Sequence, residues 1–326
     1  MRCHFVISGL IRPAPEQAGE AAPAFAWLAG RGDRRRFAPQ ALHDWLSSHF
    51  GLTDWPAGPL TVLAECADEA GGYWLRADPV HLAVGSRGVE LVDFTSQAIT
   101  ADEAGCLVDR LNRQFAGDGL RFVAATPECW LLRLDVGPEV RFSPPESARA
   151  RDLRESLPRG ADAMRWHRWL NEIQMALHAD PVNDLRAALG LPTINGVWLW
   201  GGGDYPLRGL LQKPAATVYA DEPMLTALAR EVGAIGAPRP AAWSGVSCDD
   251  VLVLLDDLVA PARAGDVLSW REAWQALERD WFAPARQAFA AGRIDALRLT
   301  LPEVGMQIIL HRRDRWKFWR RPWSLW

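Results

Sequence analysis

The stretch "VLVLLDDL", Val251–Leu258, decides the fold, because it is an apolar run closed by two aspartates. A strand with one solvent face alternates apolar and polar residues, whereas a continuous apolar run indicates a strand buried on both faces. Two more runs share this character, "NGVWLW" at 195–200 and "ATVYA" at 216–220. Amphipathic helices alternate with these runs, most clearly at 162–178. The succession predicts an α/β fold with a mostly parallel sheet flanked by helices.

Residues 74–135 interrupt this pattern with a different order of strands and helices. Two short strands around the turn 86–88 come first, then a helix, then two more strands. The helix is expected to begin after Thr100, because Glu103 lies three residues later and completes a capping box. We therefore expect a small α+β insertion that resembles a lid.

The remaining chain forms the expected core, a discontinuous unit of residues 1–73 and 136–310. Residues 136–160 are rich in Pro, Arg, Ser and Glu and are typical of a linker. A late helix, "SWREAWQALERDWF", is expected to begin with Ser269 as its N-cap.

The tail 311–326 is basic and aromatic, with six Lys/Arg and one Asp in a chain of net charge −4. Arginine interleaved with tryptophan suits a protein partner or an anionic surface. It equally suits a segment that docks on the acidic body of its own chain. Both interpretations stay open.

The bulk composition excludes several classes of protein. Apolar residues make up 49% of the 326 positions and charged residues 23%, which are globular values. The net charge of −4 argues against specific nucleic-acid binding. The five cysteines form no CxxC pair, which favours a reducing compartment. The sequence has no 18-residue apolar stretch, so we expect no transmembrane segment and a cytoplasmic location.

The glycine run Gly201–Gly203, between "NGVWLW" and Asp204, is the first candidate site. Glycines just past a strand allow a ligand to approach backbone N–H groups. We expect a small anionic ligand there, but a tight turn that lets nearby tryptophans pack explains the run equally well. The expected ligand-binding set adds neighbouring strand and loop residues: Asn195, Trp198, Trp200 and Asp204.

A row of polar side chains on the helix 162–178 is the second candidate. His167, Asn171, Gln174 and His178 follow helical spacing along the edge of its apolar stripe. Such a row can line a pocket. Alternatively, its side chains form hydrogen bonds to adjacent loops and have no role in binding. We include Asn171, Gln174 and His178 in the expected ligand site.

Acidic residues at strand ends are the third candidate. Asp256 and Asp257 close the deciding stretch, and Asp78 precedes His81 in "RADPVHL". Strand-end carboxylates can hold a metal or act as bases, and they also cap helices and solvate turns. The catalytic candidates are Asp256, Asp257 and His81, and the metal candidates are Asp78 and Asp256. The usual metal motifs, such as HExxH, are absent from the sequence, so no cofactor is predicted.

Four blocks of the sequence resemble a bacterial family called regulatory protein, RpfE type. They are "RADPVHL" at 76–82, "NEIQMALHADPVNDLRAALGLPTINGVWLWGGG" at 171–203, "VYADEPMLTALAREVG" at 218–233 and "RWKFWRR" at 315–321. The family title implies a control role and supplies no mechanism.

That family is in turn similar to the archaeal-type cofactor-independent phosphoglycerate mutases of the alkaline-phosphatase-like superfamily. Their Trp-x-Trp-Gly-x-Gly stretch is matched by Trp198, Trp200, Gly201 and Gly203. The resemblance implies an alkaline-phosphatase-like core, and residues 74–135 would correspond to the inserted lid of these enzymes.

The departures from the mutase pattern concern the metal ligands that the resemblance implies. Ser8 stands before Gly9 where the family has aspartate, and Asp256 remains without the family's histidine. We therefore expect a non-catalytic regulatory protein that binds a ligand or partner on a degenerate mutase-like scaffold. The alternative is a phosphoglycerate mutase, or another phosphotransferase or phosphohydrolase, with a rearranged site. Such an enzyme would use Mn²⁺ or Zn²⁺ held by Asp78, His81, Asp256 and Asp257.

Overall fold

The computed structural model describes residues 1–10, 22–66, 69, 71–85, 88–92, 99–145, 153–246 and 249–323. In chain order, the strands are β1 Arg2–Ile7, β2 Asp33–Arg36, β3 Gly72–Gly85, β4 Gly88–Val92, β5 Arg121–Thr126, β6 Cys129–Leu134, β7 Val140–Arg141, β8 Arg159–Gly160, β9 Gly196–Tyr205, β10 Thr217–Tyr219, β11 Ile235–Ala237, β12 Asp250–Leu255, β13 Ala296–Leu301 and β14 Met306–His311. The helices are α1 Pro23–Arg31, α2 Leu42–Phe50, α3 Ala57–Glu65, α4 Ala101–Gln114, α5 Ala163–His178, α6 Pro181–Ala188, α7 Pro223–Glu231, α8 Val259–Ala264, α9 Val267–Leu277 and α10 Ala283–Ala290.

The chain divides into two compact units. The first unit comprises Met1–Asp54 and Leu210–Trp326, and the second unit comprises Trp55–Gly209. These boundaries differ from the expected ones. The second unit is larger than the 74–135 insertion, because it also takes in residues 55–73 and 136–209, which the sequence assigned to the core.

The first unit is built on a mostly parallel sheet, which confirms the predicted fold class. Within the described residues the strand order is β11-β10-β12-β1-β13-β14-β2. Strands β10, β11, β12, β1 and β13 are parallel, and β14 and β2 join the β13 side antiparallel. β12 lies between β10 and β1 with Val251–Leu255 buried, as its continuous apolar run predicts.

Aromatic side chains of the late helices fill the core of the first unit. Trp270, Trp274 and Trp281 are at most 2% exposed. Phe5 of β1 meets Trp281 edge-to-face at 5.8 Å between ring centroids. The backbone N–H groups of Ala24 and Phe25, at the start of α1, donate to the carboxylate of Glu278, so a distant residue caps that helix.

The second unit contains an antiparallel sheet. Its described strands follow the order β4-β3-β6-β5, and β9 pairs with β3. β9 holds "NGVWLW", so the expectation that this run belongs to the parallel sheet is wrong. The run is continuously apolar for another reason. Val197 and Leu199 pack in the core with α5, while the opposite face of β9 is covered by α3.

Two local predictions are corrected and one is confirmed. α4 begins after Thr100 with the predicted capping box to Glu103. α9 begins earlier than predicted, because Asp266 is the N-cap and accepts hydrogen bonds from the N–H groups of Leu268 and Ser269. The expected linker is partly ordered, since β7 and β8 pair antiparallel within it.

None of the helices that the structure describes has the length and apolar content to cross a membrane.

Candidate functional site

The parallel strands of the first unit end at one edge of the sheet, which we call the carboxyl edge. Open α/β sheets bind their ligands at this edge. Every parallel strand there is followed by polar residues. They are Ser8 after β1, Asp221 and Glu222 after β10, Arg239 after β11, Asp256 and Asp257 after β12, and Glu303 after β13.

Arg239 ties two of these carboxylates together. Its Nη1 and Nη2 donate to the Oδ2 and Oδ1 of Asp257 at 2.5 and 2.8 Å. Its Nε and backbone N–H both donate to Asp221, each at 3.1 Å. Burial alone would lower the pKa of Arg239, but the hydrogen bond and charge of Asp257, with the charges of Asp221 and Asp256, raise it. The guanidinium is therefore permanently charged and is bound by two carboxylates.

Asp256 differs from its neighbour Asp257. Burial raises the pKa of Asp256, and the charge of Arg239 opposes that rise. Its backbone carbonyl accepts from Val259 N at 2.9 Å. Among the described side chains, none forms an ion pair with the Asp256 carboxylate. Of the two predicted strand-end acids, Asp257 is held by Arg239, and a ligand-binding role for Asp256 stays a prediction.

The end of β1 packs closely against the turn that carries these acids. Ser8 donates a short hydrogen bond from Oγ to Oε1 of Glu303. Gly9 has φ +81°, and a Cβ added there would lie 2.5 Å from the backbone of Leu258. Glycine is needed at this position because a side chain would meet the main chain. β1 therefore presents a hydroxyl, already bonded to a carboxylate, at the carboxyl edge.

The acids of the carboxyl edge include Asp256, which is one of the predicted metal candidates. No group of three or more His, Cys, Asp or Glu side chains in the described part of the chain is arranged to hold a metal ion. Arg239 forms ion pairs with both Asp257 and Asp221, and a serine, Ser8, follows β1. That the two-metal site implied by the mutase resemblance has been lost stays a prediction.

The other two predicted metal ligands lie in the second unit and serve its packing. Asp78 Oδ1 accepts from Nε and Nη2 of Arg76 at 2.8 and 2.6 Å, and Oδ2 accepts from Trp200 Nε1 at 2.7 Å. His81 contacts the carbonyl oxygen of Thr193 through Nδ1 at 2.8 Å. Asp78 and His81 are three apart on a strand, so their side chains point to opposite faces of β3. They do not form one site.

The glycine run lies inside β9 and not in a loop beyond it. Gly201 has φ +61°, and a Cβ there would collide with Ala57 at the start of α3. A Cβ on Gly202 would collide with Tyr73, and one on Gly203 would lie 2.9 Å from Cβ of Pro56. The space beside these glycines is filled by the protein, which supports the packing interpretation. Their role in binding a ligand stays a prediction.

The other residues of the expected ligand set also have structural partners or face solvent. Asn195 extends the β3–β9 ladder, since its amide exchanges hydrogen bonds with the backbone of Leu82. Trp198 donates from Nε1 to the carbonyl of Ser143 at 2.9 Å. Three residues are exposed: Asn171, His178 and Asp204. Gln174 is half-buried near Gly196, so the helix row does not converge on a common pocket.

Sequence reasoning missed several polar residues. Asp221 and Glu222 follow the apolar run "VYA", so the rule that selected Asp256 would have found them. Arg239 follows a three-residue strand that carries too little pattern to detect. Arg186 and Asn183 of α6 are buried although the helix reads as a surface helix. Arg186 pairs with Glu103 at 3.0 Å, and Asn183 bonds the main chain of Leu177 and Ile194.

Part of the sequence is similar to curated phosphoglycerate mutases. No protein-family model matches the chain. The 2,3-bisphosphoglycerate-independent phosphoglycerate mutase of Methanosarcina mazei is 28% identical over 141 residues, covering 41% of this chain and 35% of that protein. The enzyme of the same name from Methanosarcina acetivorans is 28% identical over 140 residues, with the same coverage. The matched stretch thus spans about a third of the length of these relatives.

Solved structures resemble the chain over most of its length. A protein from Pyrococcus horikoshii named PH0037 covers 95% of this chain and 87% of its own, with a TM-score of 0.53 and 15% identity. A cofactor-independent phosphoglycerate mutase from Thermoplasma acidophilum covers 95% and 89%, with a TM-score of 0.47 and 18% identity. The distant similarity to cofactor-independent phosphoglycerate mutases that the sequence predicted is confirmed, in sequence over part of the chain.

Proposed function

We propose that this chain is a non-catalytic regulatory protein that binds a ligand or partner on a phosphoglycerate-mutase-like scaffold. The resemblance to the regulatory family called RpfE type supports the control role, and the cysteine usage supports a cytoplasmic location. The loss of mutase chemistry is the part of the proposal that the geometry supports best.

One observation carries the proposal. The guanidinium of Arg239 holds both oxygens of Asp257 and also binds Asp221 at the carboxyl edge. A carboxylate in a bidentate pair with arginine has one lone pair of each oxygen occupied, and the adjacent fixed positive charge disfavours the binding of a divalent ion. Two-metal phosphoryl transfer needs carboxylates free to bridge and position the ions. Here Arg239, a cation of the protein itself, forms ion pairs with Asp257 and Asp221.

The test combines metal content with turnover. The full chain is loaded with Mn²⁺ and with Zn²⁺, desalted and submitted to elemental analysis, and 3-phosphoglycerate isomerisation is assayed with each ion present. We expect no stoichiometric metal and no turnover. Two equivalents of retained metal, together with turnover, would overturn the proposal. Thermal unfolding is then measured with inorganic phosphate and with 3-phosphoglycerate. Binding of either small anion is expected to raise the Tm.

An enzyme with a rearranged site is the second candidate, and the state of Asp256 favours it. Its carboxylate has no ion-pair partner among the described side chains, and burial raises its pKa, as a general base requires. The Ser8 hydroxyl lies at the end of the neighbouring strand. Phosphotransferase or phosphohydrolase turnover that disappears in Asp256→Ala and persists in Asp135→Ala, an exposed acid of the second unit, would support this candidate.

A further inference from the structure

The last residues of the first unit form a surface that the proposed function does not use. The chain leaves β14 through a 3-10 turn at Arg312–Trp316 and runs on to Trp323 beside the edge strand β2. Along it, the side chains of Trp316, Phe318 and Trp319 are 66%, 81% and 66% exposed. We call this surface the basic–aromatic patch. It consists of Trp316, Phe318, Trp319, Arg313, Arg321, Arg34, Arg35 and Arg36.

The backbone under the patch is fixed to the body of the first unit. Lys317 and Arg320 both pair with Asp33 of β2, at 3.4 and 3.0 Å. Arg320 Nη1 also donates to the carbonyl oxygen of Gly32 at 2.9 Å, and Trp323 N donates to the carbonyl of Ala26 at 2.9 Å. The chain is therefore docked on its own body over this stretch. The three aromatic side chains point outward from a held backbone.

Two arginines of the patch lie together, and none of its arginines is paired with a described acidic side chain. Arg34 and Arg321 line one cavity of about 610 Å³ beside Trp323. Arg34, Arg35 and Arg36 are all exposed on the edge strand. Within the residues that the structure describes, no acidic side chain pairs with any arginine of the patch. Residues 33–36 and 311–326 hold nine Lys/Arg and two Asp in a chain whose net charge is −4.

We propose that the basic–aromatic patch binds the surface of an anionic lipid bilayer. Tryptophan and other amphipathic aromatics partition to the headgroup level of a membrane, and the guanidinium of arginine forms bidentate hydrogen bonds with phosphate. Each basic residue near an anionic leaflet adds about 1 kcal/mol of attraction, which is about fivefold in affinity. The positive charge of the patch therefore favours this surface of the first unit for contact with the membrane.

The geometry favours lipid over nucleic acid and over an acidic protein. Bases stack on flat aromatic platforms, but Phe318 and Trp319 meet edge-to-face at 81° between ring planes and offer no shared platform. A protein partner needs a complementary concave surface, whereas these aromatics protrude from a short turn. A bilayer accepts protruding aromatics without shape complementarity.

Vesicle cosedimentation of the full chain tests the proposal. Vesicles of phosphatidylcholine alone are compared with vesicles of phosphatidylcholine mixed with phosphatidylglycerol. We expect binding to the mixed vesicles only, with affinity that falls as salt is added. The triple variant Trp316→Ala, Phe318→Ala, Trp319→Ala should lose at least about tenfold in affinity. The double variant Arg313→Gln, Arg321→Gln should lose about 25-fold, and salt should weaken its binding less.

Matched controls come from the second unit. Leu185 and Leu189 are 67% and 74% exposed, so Leu185→Ala with Leu189→Ala removes exposed apolar surface elsewhere. Arg168→Gln removes an exposed arginine. Both should bind like the unchanged chain, and circular dichroism checks that every variant is folded. Equal binding to both vesicle types overturns the proposal. So does no vesicle binding, binding that survives the aromatic variant, or aromatic-dependent binding to polyglutamate or RNA without vesicle binding.

Discussion

Asp78 and Asp256 look alike in the sequence, since each is an acid beside an apolar strand, but their surroundings separate them. Asp78 accepts three hydrogen bonds from Arg76 and Trp200. Asp256 has a raised pKa and no ion-pair partner among the described side chains. Arg76 lies two residues from Asp78, but Trp200 lies 122 residues from it, and Arg239 lies 18 residues from Asp257. A residue type and its position in a strand can be predicted from sequence, and a non-local partner cannot.

Removing the Asp78 carboxylate should destabilise the second unit. Asp78→Ala removes the carboxylate that pairs with the guanidinium of Arg76, which is 15% exposed, and that accepts a hydrogen bond from Trp200. We expect a loss of about 2–3 kcal/mol in the free energy of unfolding, measured by urea titration. The control Asp135→Ala removes an acid that is 82% exposed and paired with Arg133, and should cost less than about 0.5 kcal/mol. Equal losses would contradict the assignment of Asp78 to packing.

His4 should make the first unit sensitive to acid. Burial lowers its pKa from 6.5 to about 3, and the charges of His49 and Arg298 act in the same direction. Its Nε2 lies 2.8 Å from Thr300 Oγ1. Between pH 6.5 and about pH 3, the His4 side chain binds a proton in the unfolded chain but not in the folded chain. Stability is therefore lost as the pH falls below 6.5, by about 1 kcal/mol per pH unit.

The variant His4→Gln measures that contribution. Its unfolding free energy should fall less steeply than that of the unchanged chain between pH 6.5 and about pH 5. The variant His178→Gln changes an exposed histidine and should keep the steep pH dependence of the parent. Parallel curves for the parent and His4→Gln would contradict a lowered pKa at His4.

At the scale of elements, β9 shows what an apolar pattern can and cannot predict. The pattern predicts that the strand is buried on both faces, and this is correct, because α5 covers one face and α3 the other. It does not determine the partner strand. A helix on each face produces the same continuous run in a parallel and in an antiparallel sheet. The sequence therefore identified β9 as a strand but assigned it to the parallel sheet, whereas it pairs antiparallel with β3.

Gly201 should be needed for α3 to pack on β9. Its φ is +61°, and an added Cβ would collide with Cβ of Ala57. Gly201→Ala should therefore lower the unfolding free energy by about 2–4 kcal/mol. The control is Gly190→Ala, where φ is +69° and no atom lies within 4 Å of the added Cβ. It carries only the backbone strain, about 1 kcal/mol. Equal losses in a urea titration would show that the close approach contributes nothing.

At the scale of the whole molecule, each unit has a hydrophobic core of its own. The aromatic core of the first unit draws only on residues from Cys3 to Leu310 that belong to that unit. The main core of the second unit lies between Leu75 and Leu199. The sequence predicted a second structural module but placed its end at 135. Residues 136–209 contain an amphipathic helix and an apolar strand that would suit either core, so local pattern gives no reason to assign them to one.

The second unit should therefore fold as an isolated fragment, Trp55–Gly209. It is one continuous stretch of chain with its own core, which is what independent folding requires. We expect the fragment to show helix and strand by circular dichroism and to unfold in one cooperative transition. The shorter fragment 74–135, the insertion expected from sequence, should not fold. It lacks α5 and β9, and therefore leaves Leu75, Leu107 and Trp130 without the core residues they pack with in the unit. A folded 74–135 fragment beside an unfolded Trp55–Gly209 fragment would support the boundaries predicted from sequence instead.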